Sequence, residues 1–464
     1  MVGSGPPQDA LASAIPKRSF DVIVVGSGPS GSVAALLLAR SGLEVALIDK
    51  ARFPRDKACG DVIGPRALRA LERLKITTPS GEPVASMQLS FPNATLVELP
   101  SGGGLEFDGV GRSIPRRIFD HHLHEQALAT GAFEITARVS SVVAQSDGSF
   151  VVEAQGDSTS PPGSSSIHLH CRYIIGADGA NSKVASDLAL TNPSEALWGF
   201  AVRRYIPATV GLPLISLLDG ADLVYAGDPK RIFPGYGWAF PSPGGMVNVG
   251  VGVGVGGGRK GSSLATNSLT GYIDKLFHEG NLGPVDGEHA SSSKQLGGWL
   301  KMGMAGTTGG RGGALLVGDA AGLVNPLQGE GIAQAIESAN AAAEAILHAR
   351  SDPSVRYRDY LLQRHAPYQH ASAFLHRYAL THERRALIIL AVLSGLPYQH
   401  AIAQAWGLYW NDLSDAAGPI PGALLARAMG RSIGLLHSIS SSYSRARSPL
   451  TFPASHPPRN HRKA

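Results

Sequence analysis

The chain has 464 residues, 43% of them hydrophobic and 17% charged, with a formal net charge of +5. Domains run about 100–200 residues, so two or three cores are expected, and the balance excludes a wholly disordered chain. No basic patch interleaved with aromatics points to nucleic acid, no apolar run approaches the ~20 residues of a spanning helix, and Cys59 and Cys171 are too few for a disulfide framework or a metal site.

Residues 1–18 lack the apolar stretch and cleavage site of a secretory signal and are expected to form a flexible leader. From Asp21, DVIVVGSGPSGSVAALLLARSGLEVALIDK reads strand, glycine turn, helix, strand. The first strand is a continuous apolar run, as a strand buried on both faces requires. Ala34 to Ala39 continue as a buried helix that Ser41-Gly42 stops. This βαβ opening predicts a doubly wound sheet. PRALRALERLK, from Pro65, predicts a short helix, and the stretch to Pro115 reads as strands and turns. A helix follows Ile114, with Phe119, Leu123, Ala127 and Leu128 on one face. Strands are expected over 133–175 and from Trp198 to Val255, where MVNVGVGVGVGGG reads as a strand dissolving into a glycine loop. ALLVGDAAGLVNPLQGEGIAQAIESANAAAEAIL, from Ala314, predicts strand, loop and long helix.

The expected fold is α/β: a discontinuous Rossmann-like nucleotide-binding domain (19–78, 108–188 and 296–350), a β-rich substrate domain (79–107 and 189–295) and a helical C-terminal part (351–440). Residues 441–464 are Pro/Ser-rich and basic, and are expected to be a disordered tail. That tail, and the apolar run Ala386 to Leu393 behind Arg384-Arg385, are candidate peripheral membrane contacts, with a solvated tail and a buried helix as the plainer readings. The expected location is the cytoplasm.

Gly26-Ser27-Gly28-Pro29-Ser30-Gly31 fits G-x-G-x-x-G between strand and helix. Gly26 makes the turn, Gly28 admits a pyrophosphate and Gly31 permits close helix packing, while the helix N-terminus supplies N–H groups to the phosphates. Asp49 ends the next strand, where an acid binds the adenosine ribose. The bland alternative is a glycine turn that only closes a βαβ unit. Later, the loop Asn325 to Gly331 precedes a helix starting at Ile332. The N-terminus of that helix suits an anionic group. Glu330 faces solvent or caps the helix; the sequence leaves both open.

GADGANSKVA, from Gly176, and LLVGDAAGLVNPLQGEGIAQAI, from Leu315, together with the glycine loop resemble the FAD-binding proteins of the p-hydroxybenzoate hydroxylase fold. The resemblance implies FAD as cofactor, Asp178 and Gly179 near its diphosphate, Gly318 and Asp319 on its ribityl or pyrophosphate part, Gly329, Gly331 and Ile332 by the flavin, and Arg116 as a cofactor contact. A solvated charge at a helix start is the plain reading of Arg116.

FPRDKACGD, PGYGWAFP (Pro234 to Pro241) and GDAAGLVNPLQGEGI resemble, within that fold, the geranylgeranyl reductase family. The resemblance implies reduction of carbon–carbon double bonds in a polyprenyl chain, geranylgeranyl or menaquinone-type, with hydride from flavin N5 and a proton delivered in the cavity. It puts Cys59 in that cavity and Tyr236 and Trp238 on its lining, so these three are the candidate catalytic residues. A thiol of ordinary pKa, about 8.5, is protonated at neutral pH; Cys59 is read either as the proton donor or as a residue that shapes the pocket, with water or a tyrosine as the donor instead. Cys171 reads as a core residue. The substrate implied is a prenylated lipid or quinone. No second nicotinamide-binding unit is visible, so NAD(P)H would dock transiently, or ferredoxin would supply electrons. The chain departs from many relatives at Gly60-Asp61, where they carry a second glycine, and at 296–303, which lacks their proline.

Two alternatives share these motifs. A flavin monooxygenase would hydroxylate an aromatic or secondary metabolite; the loop cysteine and the Tyr-Gly-Trp segment weigh against it. A non-catalytic prenyl-binding protein on the same fold would not need intact glycine, D-G and G-D motifs.

Overall fold

The computed structural model describes residues 18–91, 96–99, 110–156, 166–207, 213–217, 224–225, 228–232, 235–255, 294–349, 351–377, 385 and 388. The expected leader up to residue 17, Pro234, nearly all of the run behind Arg384, the helices expected beyond 377 and the basic tail lie outside the described residues.

The opening βαβ unit consists of β1 (Ser19–Val25), α1 (Pro29–Arg40) and β2 (Val45–Asp49). Val22 to Val24 are fully buried, because this apolar strand has neighbours on both sides and a helix above it. Gly42, at φ +87°, ends α1 in the left-handed region that glycine reaches without strain. The first sheet has a parallel core. β1 lies between β2 and β10 (Ile167–Gly176); β8 (Phe133–Ala144) flanks β2, and β19 (Ala314–Leu316) flanks β10, with the short antiparallel β18 (Gly310–Arg311) beyond it. β9 (Phe150–Gly156) pairs antiparallel with the far halves of β8 and β10. Cys171 is a buried core residue on β10, its thiol pushed up to about 12 by burial, as a plain packing residue should be.

Two helices flank the site. α2 (Pro65–Arg73) follows the short strand β3 (Val62–Ile63), and α3 (Arg116–Ala129) follows β7 (Gly111–Ser113). On α3, Phe119, Leu123 and Ala127 are buried as the periodicity predicts, and Leu128 is half-buried at the edge of that face. β7 also pairs with β4 (Glu82–Val84).

The second sheet has seven strands in the order β17 (Leu296–Met302), β11 (Leu197–Pro207), β16 (Met246–Val255), β15 (Gly235–Ser242), β12 (Leu214–Leu217), β5 (Met87–Ser90) and β6 (Leu96–Leu99). Two strands, β13 (Val224–Tyr225) and β14 (Asp228–Ile232), form a hairpin outside it. The V-G alternation of β16 has a physical reason. Val247, Val249, Val251 and Val253 fill one face, while a Cβ on Gly250 would lie 2.1 Å from the Trp238 ring. The stretch 296–302, expected within the nucleotide-binding segments, is instead the edge strand of this sheet. It pairs with β11 from Leu197 to Arg203, and Trp299 packs on Phe200 at a 4.9 Å ring separation.

After β19 a 3-10 turn (Gly318–Ala321) and a loop lead to α4 (Ile332–Leu347), then α5 (Pro353–Tyr360), a π-helical turn and α6 (Ala366–Leu375). α1 and α4 pack side by side over the parallel strands.

Candidate active site

The glycine turn is shaped by contacts that leave no room for side chains at two of its glycines. Gly26 has φ +101°, and a Cβ on Gly31 would lie 1.7 Å from the Gly26 carbonyl oxygen. At Gly28 a Cβ would meet only the Arg55 guanidinium, at 3.5 Å. Space therefore remains in front of the N-terminus of α1, whose first turn carries no capping side chain and no acid. Asp49 stands beside it. Its carboxylate accepts from the Ser27 N–H at 2.8 Å and from the Ala51 N–H at 2.9 Å, which fixes the acid against the turn.

Asp178 and Gly179 follow β10 after Ala177. One oxygen of Asp178 accepts from the Lys183 N–H at 2.6 Å; the other is buried with no hydrogen-bond partner among the described residues. Burial raises this carboxyl. Gly318 and Asp319 form the 3-10 turn, and Asp319 pairs with Lys57 at 3.2 Å. Lys301, buried on β17, bonds Thr191 at 2.7 Å and the Ala320 carbonyl at 3.2 Å, holding that turn from behind; burial pushes its amine down to about 8. An open cradle at Gly28, an uncapped helix start and an orphaned acid oxygen fit a dinucleotide with a diphosphate bridge.

Gly329, Gly331 and Ile332 end the loop and begin α4. Glu330 resolves to a helix cap: its carboxylate accepts from the Ala333 N–H at 3.0 Å. The hydroxyl of Tyr236 donates to the Gln328 carbonyl. Burial first, then Cys59 and Glu330, push that phenol up, so it stays protonated.

Cys59 lies where the two sheets meet. The residue is half-buried, and burial raises the thiol. The Asp61 N–H donates to Sγ at 3.3 Å, and the Cys59 carbonyl accepts from Asn248 on β16 at 2.8 Å. Trp238 is 5% exposed and its N–H is committed to Asn248 at 3.0 Å; it packs beneath Gly60, together with Phe240. Tyr236 and Cys59 are thus neighbours, while Trp238 is a floor under the cysteine loop.

Arg116, the first residue of α3, is buried rather than solvated. Its guanidinium makes a two-pronged pair with Asp120, at 2.6 and 2.7 Å, and reaches the Cys59 sulfur. Arg55 adds a second cation to Asp120 at 2.7 Å. The i,i+4 spacing of Arg116 and Asp120 could have signalled this pair in the sequence. Asp61, Tyr205, Asn248 and Lys57 were not singled out there. Only the departure at Gly60-Asp61 hinted at one of them.

Such a fold, with a dinucleotide cradle and a thiol packed against a second sheet, defines an FAD-dependent oxidoreductase. Residues 19–201 match the model of the FAD binding domain. The chain is 32% identical over 327 residues to the menaquinone reductase of Mycolicibacterium smegmatis, covering 70% of this chain and 75% of that protein. It is 34% identical over 334 residues to the menaquinone reductase of Mycobacterium tuberculosis, covering 71% and 76%. A digeranylgeranylglycerophospholipid reductase of Methanopyrus kandleri is 31% identical over 335 residues, covering 71% and 81%. Among solved structures, a geranylgeranyl bacteriochlorophyll reductase-like protein of Thermoplasma acidophilum superposes with a TM-score of 0.63 at 21% identity, covering 91% of this chain and 99% of that one. A flavin-dependent brominase, at a TM-score of 0.56 and 15% identity, shares the fold alone. The chain belongs to the geranylgeranyl reductase family of FAD-dependent oxidoreductases.

Proposed function

We propose that the protein reduces carbon–carbon double bonds in a polyprenyl chain of the menaquinone or geranylgeranyl type, with Cys59 delivering the proton. The observation that carries this reading is the meeting of the cofactor loop and the thiol. Tyr236 ties β15 to Gln328 on the cofactor side, and Asn248 ties β16 to Cys59.

In this reading Asp49 holds the adenosine ribose, and the α1 N-terminus with Gly26, Gly28 and Gly31 receives the diphosphate. Asp178, Gly179, Gly318 and Asp319 border the diphosphate and ribityl parts, and Gly329, Gly331 and Ile332 present the N-terminus of α4 to the flavin. Arg116 acts through Cys59 and Asp120. Reduced FAD, when bound, supplies hydride to one alkene carbon. The other carbon needs a proton, and the local hydrogen bonds favour one donor. The Tyr236 proton is committed to Gln328 and the Trp238 proton to Asn248. The Cys59 sulfur accepts from Asp61, so its own proton remains to give. Burial keeps the thiol protonated at neutral pH. Delivery leaves a thiolate beside Arg116, which stabilises the charge until water returns the proton.

The names of the relatives support a prenylated lipid or quinone as substrate. Electrons would come from transiently docked NAD(P)H or from a ferredoxin-type donor. No helix among the described residues is long and apolar enough to cross a membrane, and the basic tail is the proposed peripheral contact with the lipid that carries the substrate. The test is product mass: the chemically reduced protein is given menaquinone or geranylgeranyl diphosphate in detergent. Products heavier by two hydrogens per reduced bond are expected; products that gain oxygen instead would favour the monooxygenase.

A further inference from the structure

The carboxylate of Asp61 is fully buried, and it joins three parts of the molecule. It accepts from the Asn248 amide of β16 at 2.7 Å and from the Tyr205 hydroxyl of β11. It also accepts from the backbone N–H of Arg116, at the start of α3, at 3.3 Å. Its own backbone N–H is the donor to the Cys59 sulfur. Asp61 has φ +66°, a left-handed conformation that a non-glycine residue adopts only where its surroundings hold it. A second glycine here would reach that conformation without strain and would bring no charge.

We propose that Asp61 is the positioning residue of the Cys59 thiol, fixing it through backbone and side chain at the joint between the sheets and setting a carboxylate against the pull of the Arg116 guanidinium. The charged and titratable groups facing Asp61 are Arg116 from α3, Arg203 and Tyr205 from β11, and Cys59 from its own loop. Arg203 lies over the Tyr205 ring at 4.2 Å and is itself paired with Asp56 at 2.5 Å, so it orients the phenol as well as adding charge. Burial holds the sulfur protonated, as a proton donor needs; Arg116 pulls it toward thiolate, and an ionised Asp61 opposes that pull. Burial raises the Asp61 carboxyl to about 6, with its hydrogen bonds to Tyr205 and Asn248 acting the other way. The opposing charge is therefore present at neutral pH and lost in mild acid.

The inference rests on the proposed role of Cys59, but its test requires no turnover. The rate of Cys59 alkylation by iodoacetamide is followed by peptide mass spectrometry in the FAD-loaded full chain, from about pH 5 to about pH 9. Wild type should show the thiolate-dependent rise interrupted by a step near the Asp61 ionisation. Asp61→Asn should remove the step and speed alkylation at neutral pH severalfold, because the charge that opposes Arg116 is gone. Tyr205→Phe, which keeps the carboxylate and removes one donor, should move the step to higher pH. An unchanged profile in FAD-loaded Asp61→Asn, or an unmoved step in Tyr205→Phe, overturns the proposal. A wild type that shows the step but reduces no alkene would sink the proposed function instead.

Discussion

The hydroxyl of Tyr236 donates to the carbonyl of Gln328, so a strand of the second sheet is bonded directly to the loop ahead of α4. That loop is where the flavin is proposed to lie. That bond links the ring to the cofactor loop between residues 92 apart in sequence.

Tyr236→Phe keeps the ring and removes the bond. A neutral hydrogen bond contributes about 1 kcal/mol net, so FAD should bind about fivefold more weakly, with the fold unchanged. Fluorescence titration of the apoprotein with FAD measures this. Unaltered affinity would mean that the bond does not order the cofactor loop.

The glycine turn predicts opposite failures for two similar substitutions. Gly28→Ala adds a methyl that meets only the Arg55 guanidinium, so the apoprotein should keep its melting temperature and lose FAD. Gly31→Ala sets a Cβ 1.7 Å from the Gly26 carbonyl oxygen, so it should destabilise the fold itself. Thermal melts with and without FAD separate the two. Full FAD binding by Gly28→Ala would move the diphosphate away from α1.

Cys59→Ser should purify yellow, since the thiol contributes nothing to the glycine turn or to Asp49. Its alkene reduction should fall by about 10²–10⁴-fold, the usual worth of a positioned proton donor. Full activity with the serine would confine Cys59 to shaping the pocket.

Lys301 gives a pH dependence of defined sign. Its amine titrates near 8 in the folded chain against a reference of 10.5. Below the folded value both states carry the proton and the burial penalty is complete. Between the two values the unfolded chain holds a proton that the folded chain has released, so stability rises with pH. Urea unfolding of wild type and Lys301→Met should therefore show the difference shifting toward wild type by up to about 3 kcal/mol between about pH 7 and about pH 10.5. A constant difference would mean that burial does not lower the Lys301 amine, which would then keep its proton across the whole window.

The cofactor side of the molecule was legible because its signals are local. The apolar strand, the glycine spacing, Asp49 at a strand end and the D-G and G-D turns all lie within short segments, and β1, α1, β2 and β10 place them as expected. The thiol side was legible as Cys59, Tyr236 and Trp238 through the family resemblance, and not through the partners that hold the thiol. Asn248 is 187 residues from Asp61, Tyr205 is 144 away, and Lys57 is 262 from Asp319, so no local periodicity announces these partners. The strand at 296–302 was not legible for a related reason. LGGWLKM has the composition of a loop approach, and only pairing with β11 makes it a strand of the second sheet.

The central claim, a hydride and a proton added across an isolated alkene, is tested most directly without oxygen. The purified protein is chemically reduced, menaquinone or geranylgeranyl diphosphate is added in detergent, and flavin absorbance is recorded with product mass. The account predicts anaerobic reoxidation of the flavin, matched by products two hydrogens heavier per turnover. A flavin that stays reduced until oxygen is admitted, with the prenyl chain unchanged, would contradict it.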